Sequence, residues 1–178
     1  MREADNRHFK GAHAMDIDEI RSICPDLNFK NDDIYMLVRF IPLVAVMMAD
    51  GQRQQEEINL FYKFVKNFIH ITQIQDQYAL NITDMDVRRF FAPFIQTPVS
   101  PNRKHELSQL CDYLFDHFKQ NWTNDKKMDI YDMCMEIAAA APVPHCPLGI
   151  QRRISPEERK LLMEMIRALG LDLPPNQL

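Results

Sequence analysis

Residues 34–51 read IYMLVRFIPLVAVMMADG, and the reading of this stretch decides the fold. Ile34, Leu37, Val38, Ile41, Ala45 and Met48 recur at helical spacing, the pattern of an apolar helix face. Val44 and Met47 widen that face until it wraps most of the helix, which marks a buried element. The run from Ile34 to Ala49 holds Arg39 and Pro42 and falls short of the roughly 20 apolar residues a membrane span requires. It reads as the core helix of a water-soluble domain. Asn31 or Asp32 is expected to cap its start, and Pro42 to kink it, because proline lacks an N–H and clashes with the preceding turn. Asp50-Gly51 ends it, with Gly51 free to take a positive φ.

Outward from this helix the same period continues. Ile58, Phe61, Val65, Phe68 and Ile69 give the inner face of a helix over 55–71. Thr83 and Asp86 form a capping pair for a helix over 84–95. Leu107, Leu110, Cys111, Leu114, Phe115 and Phe118 mark one over 103–121, and a further helix covers 125–141 and ends in small alanines. Ser155-Pro156-Glu157-Glu158 supplies an N-cap serine, proline at the first position and glutamate at the third, a capping box. Leu161, Leu162, Met165, Ile166 and Leu169 follow before Gly170. A short helix over 16–24 stops before Pro25. No stretch alternates with a period of two. The expected fold is all-α, with about seven helices in one domain over 15–171. Residues 1–14 are expected to form a flexible tail without the apolar stretch of a secretory signal, and 172–178 a C-terminal tail.

Composition narrows the function. The chain has 178 residues with a net charge of −4, and an acidic balance disfavours broad nucleic-acid binding, which needs cations to neutralise phosphates. With 4 glycines there is no Gly-rich phosphate loop, and neither a GxSxG elbow nor an HExxH pair occurs. Cys24, Cys111, Cys134 and Cys146 contain no CxxC spacing. Buried thiols in a reducing, cytoplasmic setting are expected. The chain reads as non-catalytic.

Two helical hairpins resemble each other. Asp33-Ile34-Tyr35 matches Asp129-Ile130-Tyr131 at an offset of 96, and Glu56-Glu57 matches Glu157-Glu158 at an offset of 101. Leu60-Phe61 then aligns with Leu161-Leu162, Val65 with Ile166, and Phe68 with Leu169. The hairpins cover about 31–71 and 125–170, the second with extra residues in Pro142–Arg153.

VAVMMADGQRQQEE, from Val44 to Glu57, resembles the signature of the TerB-like (tellurite-resistance) family: a small-residue helix ending in Ala-Asp-Gly, then glutamate at the next helix start. The likeness covers about 31–171, although the second copy lacks its Asp-Gly. It implies an all-helical module of stress response, acting by interaction or sensing, with acidic residues that take a divalent cation. Asp50, Glu57, Glu157 and Glu158 are the corresponding positions here, and clustered carboxylates suit hard cations of the Ca²⁺ or Mg²⁺ class. No other cofactor is implied. The alternative is a metal-free protein-interaction adaptor of co-chaperone or peripheral membrane-complex type. Arg88, Arg89 and Phe91, with His145 and Cys146 in the Pro-rich loop, are candidates for a partner surface, since arginine and aromatic residues recur at interface hot spots.

Overall fold

The computed structural model describes residues 15–25, 29–52, 54–75, 82–95, 99–140 and 154–172. These are helical throughout, without a strand among them: α1 (Ile17–Ile23), α2 (Asn31–Leu37), a 3-10 turn (Val38–Phe40), α3 (Ile41–Met47), α4 (Gln55–Gln75), α5 (Asp84–Ile95), α6 (Pro101–Asn121), α7 (Asn124–Ala138) and α8 (Pro156–Leu169). The all-α expectation holds. No helix among the described residues is long and apolar enough to cross a membrane.

The central helix departs from its expected form. It is not one kinked helix but two, α2 and α3, joined by the 3-10 turn. The chain tightens over Val38–Phe40 and restarts at Ile41, which puts Pro42 in the first turn of α3. The missing N–H costs nothing there, because first-turn donors have no intrahelical acceptor. The cap of α2 also differs. Lys30 takes the N-cap position with no side-chain bond, and Asn31 is already helical.

α3 forms the middle of the domain, packed against α7, α6, α8 and α4. Ile41, Leu43, Val44 and Met47 are fully buried and Val46 nearly so. Such encirclement explains why its sequence is apolar on nearly every side. α6 and α7 each pack against α8, while α1 and α5 lie against α6. Side-chain caps set several boundaries. Asp16 accepts from the N–H groups of Asp18 and Glu19 at the start of α1. Ser100 caps α6 and Thr123 caps α7. At the other end of α8, Gly170 adopts φ 65°, and the Leu171 N–H donates to the Ile166 carbonyl.

α3 therefore packs against both α4 and α8, each of which carries two glutamates in its first turn.

Candidate functional site: a buried carboxylate cluster

The turn after α3 supplies the first acid. Gly51 has φ 74° and its N–H reaches the Met48 carbonyl at 3.2 Å. The backbone folds back, and Asp50 Oδ1 accepts the N–H of Gln52 at 2.8 Å. Aspartate commonly holds a turn in this way. α4 begins shortly afterwards, and its first turn carries Glu56 and Glu57. Glu56 is exposed, whereas Glu57 is only 1% exposed.

The second acidic helix start is that of α8. Ser155 Oγ accepts the Glu158 N–H at 3.2 Å, and Glu158 Oε2 accepts the Ser155 N–H at 2.6 Å. The expected capping box is complete. It also turns Glu158 inward, leaving it 2% exposed, while the adjacent Glu157 is exposed.

Glu57 and Glu158 lie within hydrogen-bond reach of one another. Glu57 Oε2 is enclosed and no donor reaches it. Two ionised carboxylates do not share so small a space. The Glu57 carboxyl is pushed up to about 8, first by burial and then by the charges of Glu158 and Asp50. Glu158 is raised too, chiefly by burial, although the Ser155 N–H and hydroxyl hold it down. Burial and the neighbouring charges therefore favour the protonated form of Glu57, beside a Glu158 carboxyl already fixed by its cap.

Of the four acids expected at this site, Glu57 and Glu158 lie side by side, and Asp50 is near enough for its charge to act on both. Glu157 faces solvent instead, because it occupies the second helical position rather than the third. The role of the Ser155 backbone N–H, which fixes Glu158, follows from the capping pattern that the sequence displays. Glu57 and Glu158 also stand at the positions that the sequence match at an offset of 101 pairs with each other.

The expected partner surface changes. Arg88 and Arg89 are exposed, but Phe91 is fully buried and stacks edge-on against Phe61 and Phe90, with centroids 4.8 and 4.9 Å away. It belongs to the core, not to a docking face. His145 and Cys146 lie outside the described residues. A groove of about 620 Å³ between α1 and α6, lined by Asp16, Glu19, Asp112, Tyr113 and Asp116 among others, contains none of the expected site residues.

Among the described residues, no three His, Cys, Asp or Glu side chains stand ready as a metal cage. No family model, curated protein or solved structure matches the chain.

Proposed function

We propose that this chain is a non-catalytic helical module of the TerB-like kind, acting in sensing or interaction, with Asp50, Glu57 and Glu158 as its sensing element. One observation carries the reading. Glu57 is buried with an unpartnered Oε2 beside a second buried carboxyl, an arrangement whose free energy depends on what occupies it. A proton fills that role in the folded chain. A divalent cation is the ligand class that would replace it, because hard cations take several carboxylate and carbonyl oxygens.

The donors fit in chemistry and only in part in arrangement. Asp50, Glu57 and Glu158 supply oxygen ligands alone, and the orphaned Glu57 Oε2 is available. Since the side chains are not assembled as a cage, cation entry requires them to shift, and modest affinity follows. Such a site would take Ca²⁺ or Mg²⁺ in preference to the softer metals, which favour nitrogen and sulfur.

The test is thermal melting of chelator-stripped protein with Ca²⁺, Mg²⁺, Mn²⁺ or Zn²⁺, repeated on Asp50→Asn and Glu57→Gln. A ligand at about 100 times its dissociation constant stabilises by roughly 2.7 kcal/mol, several degrees for a domain of this size. A shift with Ca²⁺ or Mg²⁺ that both variants abolish supports the reading. No shift with any cation overturns the cation assignment. It would leave the alternative, a metal-free interaction adaptor, which the exposed face of α5 favours.

A further inference from the structure

We propose that the solvent face of α5, formed by Met85, Arg88 and Arg89, is a docking surface for an acidic protein segment that carries a large apolar side chain. The inference goes beyond the carboxylate cluster and does not depend on what that cluster binds.

The three residues stand at i, i+3 and i+4, and so share one face of the helix. The opposite face is committed to the core through Val87, Phe90, Phe91 and Phe94. Met85 is 76% exposed, the highest value among the large apolar side chains described. A single exposed apolar side chain is ordinary, but the setting of this one is not.

Each arginine is held in place by an aromatic ring. The Arg88 guanidinium lies 4.8 Å from the Tyr62 ring centroid on α4, and that of Arg89 lies 5.8 Å from the Phe29 ring. Phe29 is itself fixed edge-on against Phe90 at 5.2 Å. Among the described residues neither arginine makes an ion pair or a hydrogen bond.

The acids nearby are already occupied. Asp84 pairs with Lys66 at 3.0 Å. Asp86 accepts from the Thr83 N–H at 2.9 Å and from the Thr83 hydroxyl at 2.6 Å. Lys30 is exposed and lies close enough for its charge to act on Asp86, as that of Arg89 does. The face therefore presents the exposed Met85 beside two arginines pre-positioned on aromatic rings, with Lys30 a further cation near Asp86.

The composition is that of an interface hot spot, in which arginine and methionine are enriched. Arginines already ordered by ring contacts lose less freedom on binding. Charge complementarity selects an acidic occupant, and Met85 selects one with an apolar anchor. A long polyanion fits less well, because the chain as a whole carries a net charge of −4, which opposes nucleic acid.

The experiment uses the full chain and a fluorescein-labelled amphipathic peptide of Glu with Leu at helical spacing. An all-Glu peptide and a Lys-for-Glu peptide are the controls. Fluorescence polarisation is recorded for the wild type, Arg88→Glu/Arg89→Glu, Met85→Ser and Glu57→Gln, and amide chemical shifts locate the contact. All three α5 side chains are exposed, so every variant should melt cooperatively, and cooperative melts certify the variants. Met85→Ser should melt at the wild-type temperature, and the double arginine variant slightly lower because it sets like charges beside Asp84 and Asp86. The Glu/Leu peptide should bind, weaken about tenfold or more in the double arginine variant, weaken in Met85→Ser, and remain unchanged in Glu57→Gln; a tenfold loss corresponds to about 1.4 kcal/mol. Shift changes should centre on α5. Failure of the peptide to bind overturns the proposal. So does binding indifferent to the arginine variant, or equal binding of the all-Glu peptide, which would reveal charge attraction alone. Binding to phosphatidylserine vesicles in place of the peptide would overturn it in favour of a membrane surface.

Discussion

Glu57, in the first turn of α4, meets Glu158, at the third position of α8, and both side chains are withdrawn from solvent. The two positions differ in what holds them. Glu158 has a cap to serve and would be ordered without a partner. Glu57 has an oxygen that no donor satisfies. Protonation of Glu57 therefore bears on how two helix starts pack together, and the domain's stability is tied to it.

A pH dependence follows, with a definite sign. In the unfolded chain Glu57 titrates near its ordinary 4.5, and in the folded chain near 8. Between these values the folded state keeps a proton that the unfolded state has released. Stability is full below about pH 4.5 and falls as pH rises through 8, by at most about 1.4 kcal/mol per pH unit. The raised Glu158 acts in the same direction. Glu57→Gln replaces the neutral acid by a neutral isostere and should flatten the dependence. It should equal the wild type near pH 5 and exceed it by roughly 1–3 kcal/mol near pH 8. Urea melts across that range check this, and parallel curves for the two proteins would refute it.

The pair can also be separated. Burial is the first cause of the Glu57 shift and the charge of Glu158 the second. Glu158→Gln keeps an acceptor for the Ser155 N–H while removing the charge. The Glu57 carboxyl should then titrate below 8 and still above the ordinary carboxylate range. Carbon-13 detection of the side-chain carboxyl measures it. An unchanged value would mean that desolvation alone sets the shift. Ser155→Ala removes the acceptor for the Glu158 N–H, and its cost should be about 1 kcal/mol.

How much of this was legible in the sequence varies from residue to residue. Ser155-Pro156-Glu157-Glu158 stated its own geometry, since a capping box requires the third residue to turn back and so separates Glu158 from Glu157. The bounds of α5 were equally plain from Thr83, Asp86 and the apolar spacing. The phase within Arg88-Arg89-Phe90-Phe91 was not. Neighbours on a helix differ by about 100°, and two consecutive aromatics do not reveal that both are buried unless the flanking helices are known. The break at Val38–Phe40 was hidden for a related reason. A proline can kink a helix or begin one, and the choice depends on how tightly α3 is enclosed by α7, α6 and α8.

Phe91→Ala provides a direct measure of that phase. The ring is fully buried against Phe61 and Phe90. Its removal should cost roughly 3–5 kcal/mol, the usual loss for a large aromatic in a core. Arg88→Ala, on the exposed side of the same helix, should cost under about 1 kcal/mol. Chemical denaturation of the two variants distinguishes them, and comparable small losses would place Phe91 at the surface after all.

The thiols should be quiet. Cys24, Cys111 and Cys134 are free and buried. Burial pushes the Cys24 thiol up to about 12, with the Glu106 charge adding to it. Cys111 and Cys134 are raised as well, again by burial first. Thiolate is the reactive form, so these three should resist iodoacetamide in the native protein and react fully in denaturant. Site-resolved mass spectrometry reads each one. Rapid native labelling at Cys24 would show that α1 opens readily from α6.

The last prediction concerns the turn that presents Asp50. Gly51 sits at φ 74°, and a β-carbon built there would meet nothing within 4 Å. Space is therefore not the constraint, and the backbone conformation is. Alanine should cost about 1–2 kcal/mol from left-handed strain alone, and asparagine, which tolerates that region, noticeably less. If crowding governed the site, the larger asparagine would be the worse of the two. The same pair of variants reports on the cluster. Asp50 raises both Glu57 and Glu158 by its charge, so a turn displaced by Gly51→Ala should shift the pH dependence of unfolding toward lower pH, whereas Gly51→Asn should leave it in place. Urea melts of both variants across the same pH range decide the matter. An unchanged pH profile in a destabilised Gly51→Ala would show that Asp50 keeps its position without the glycine.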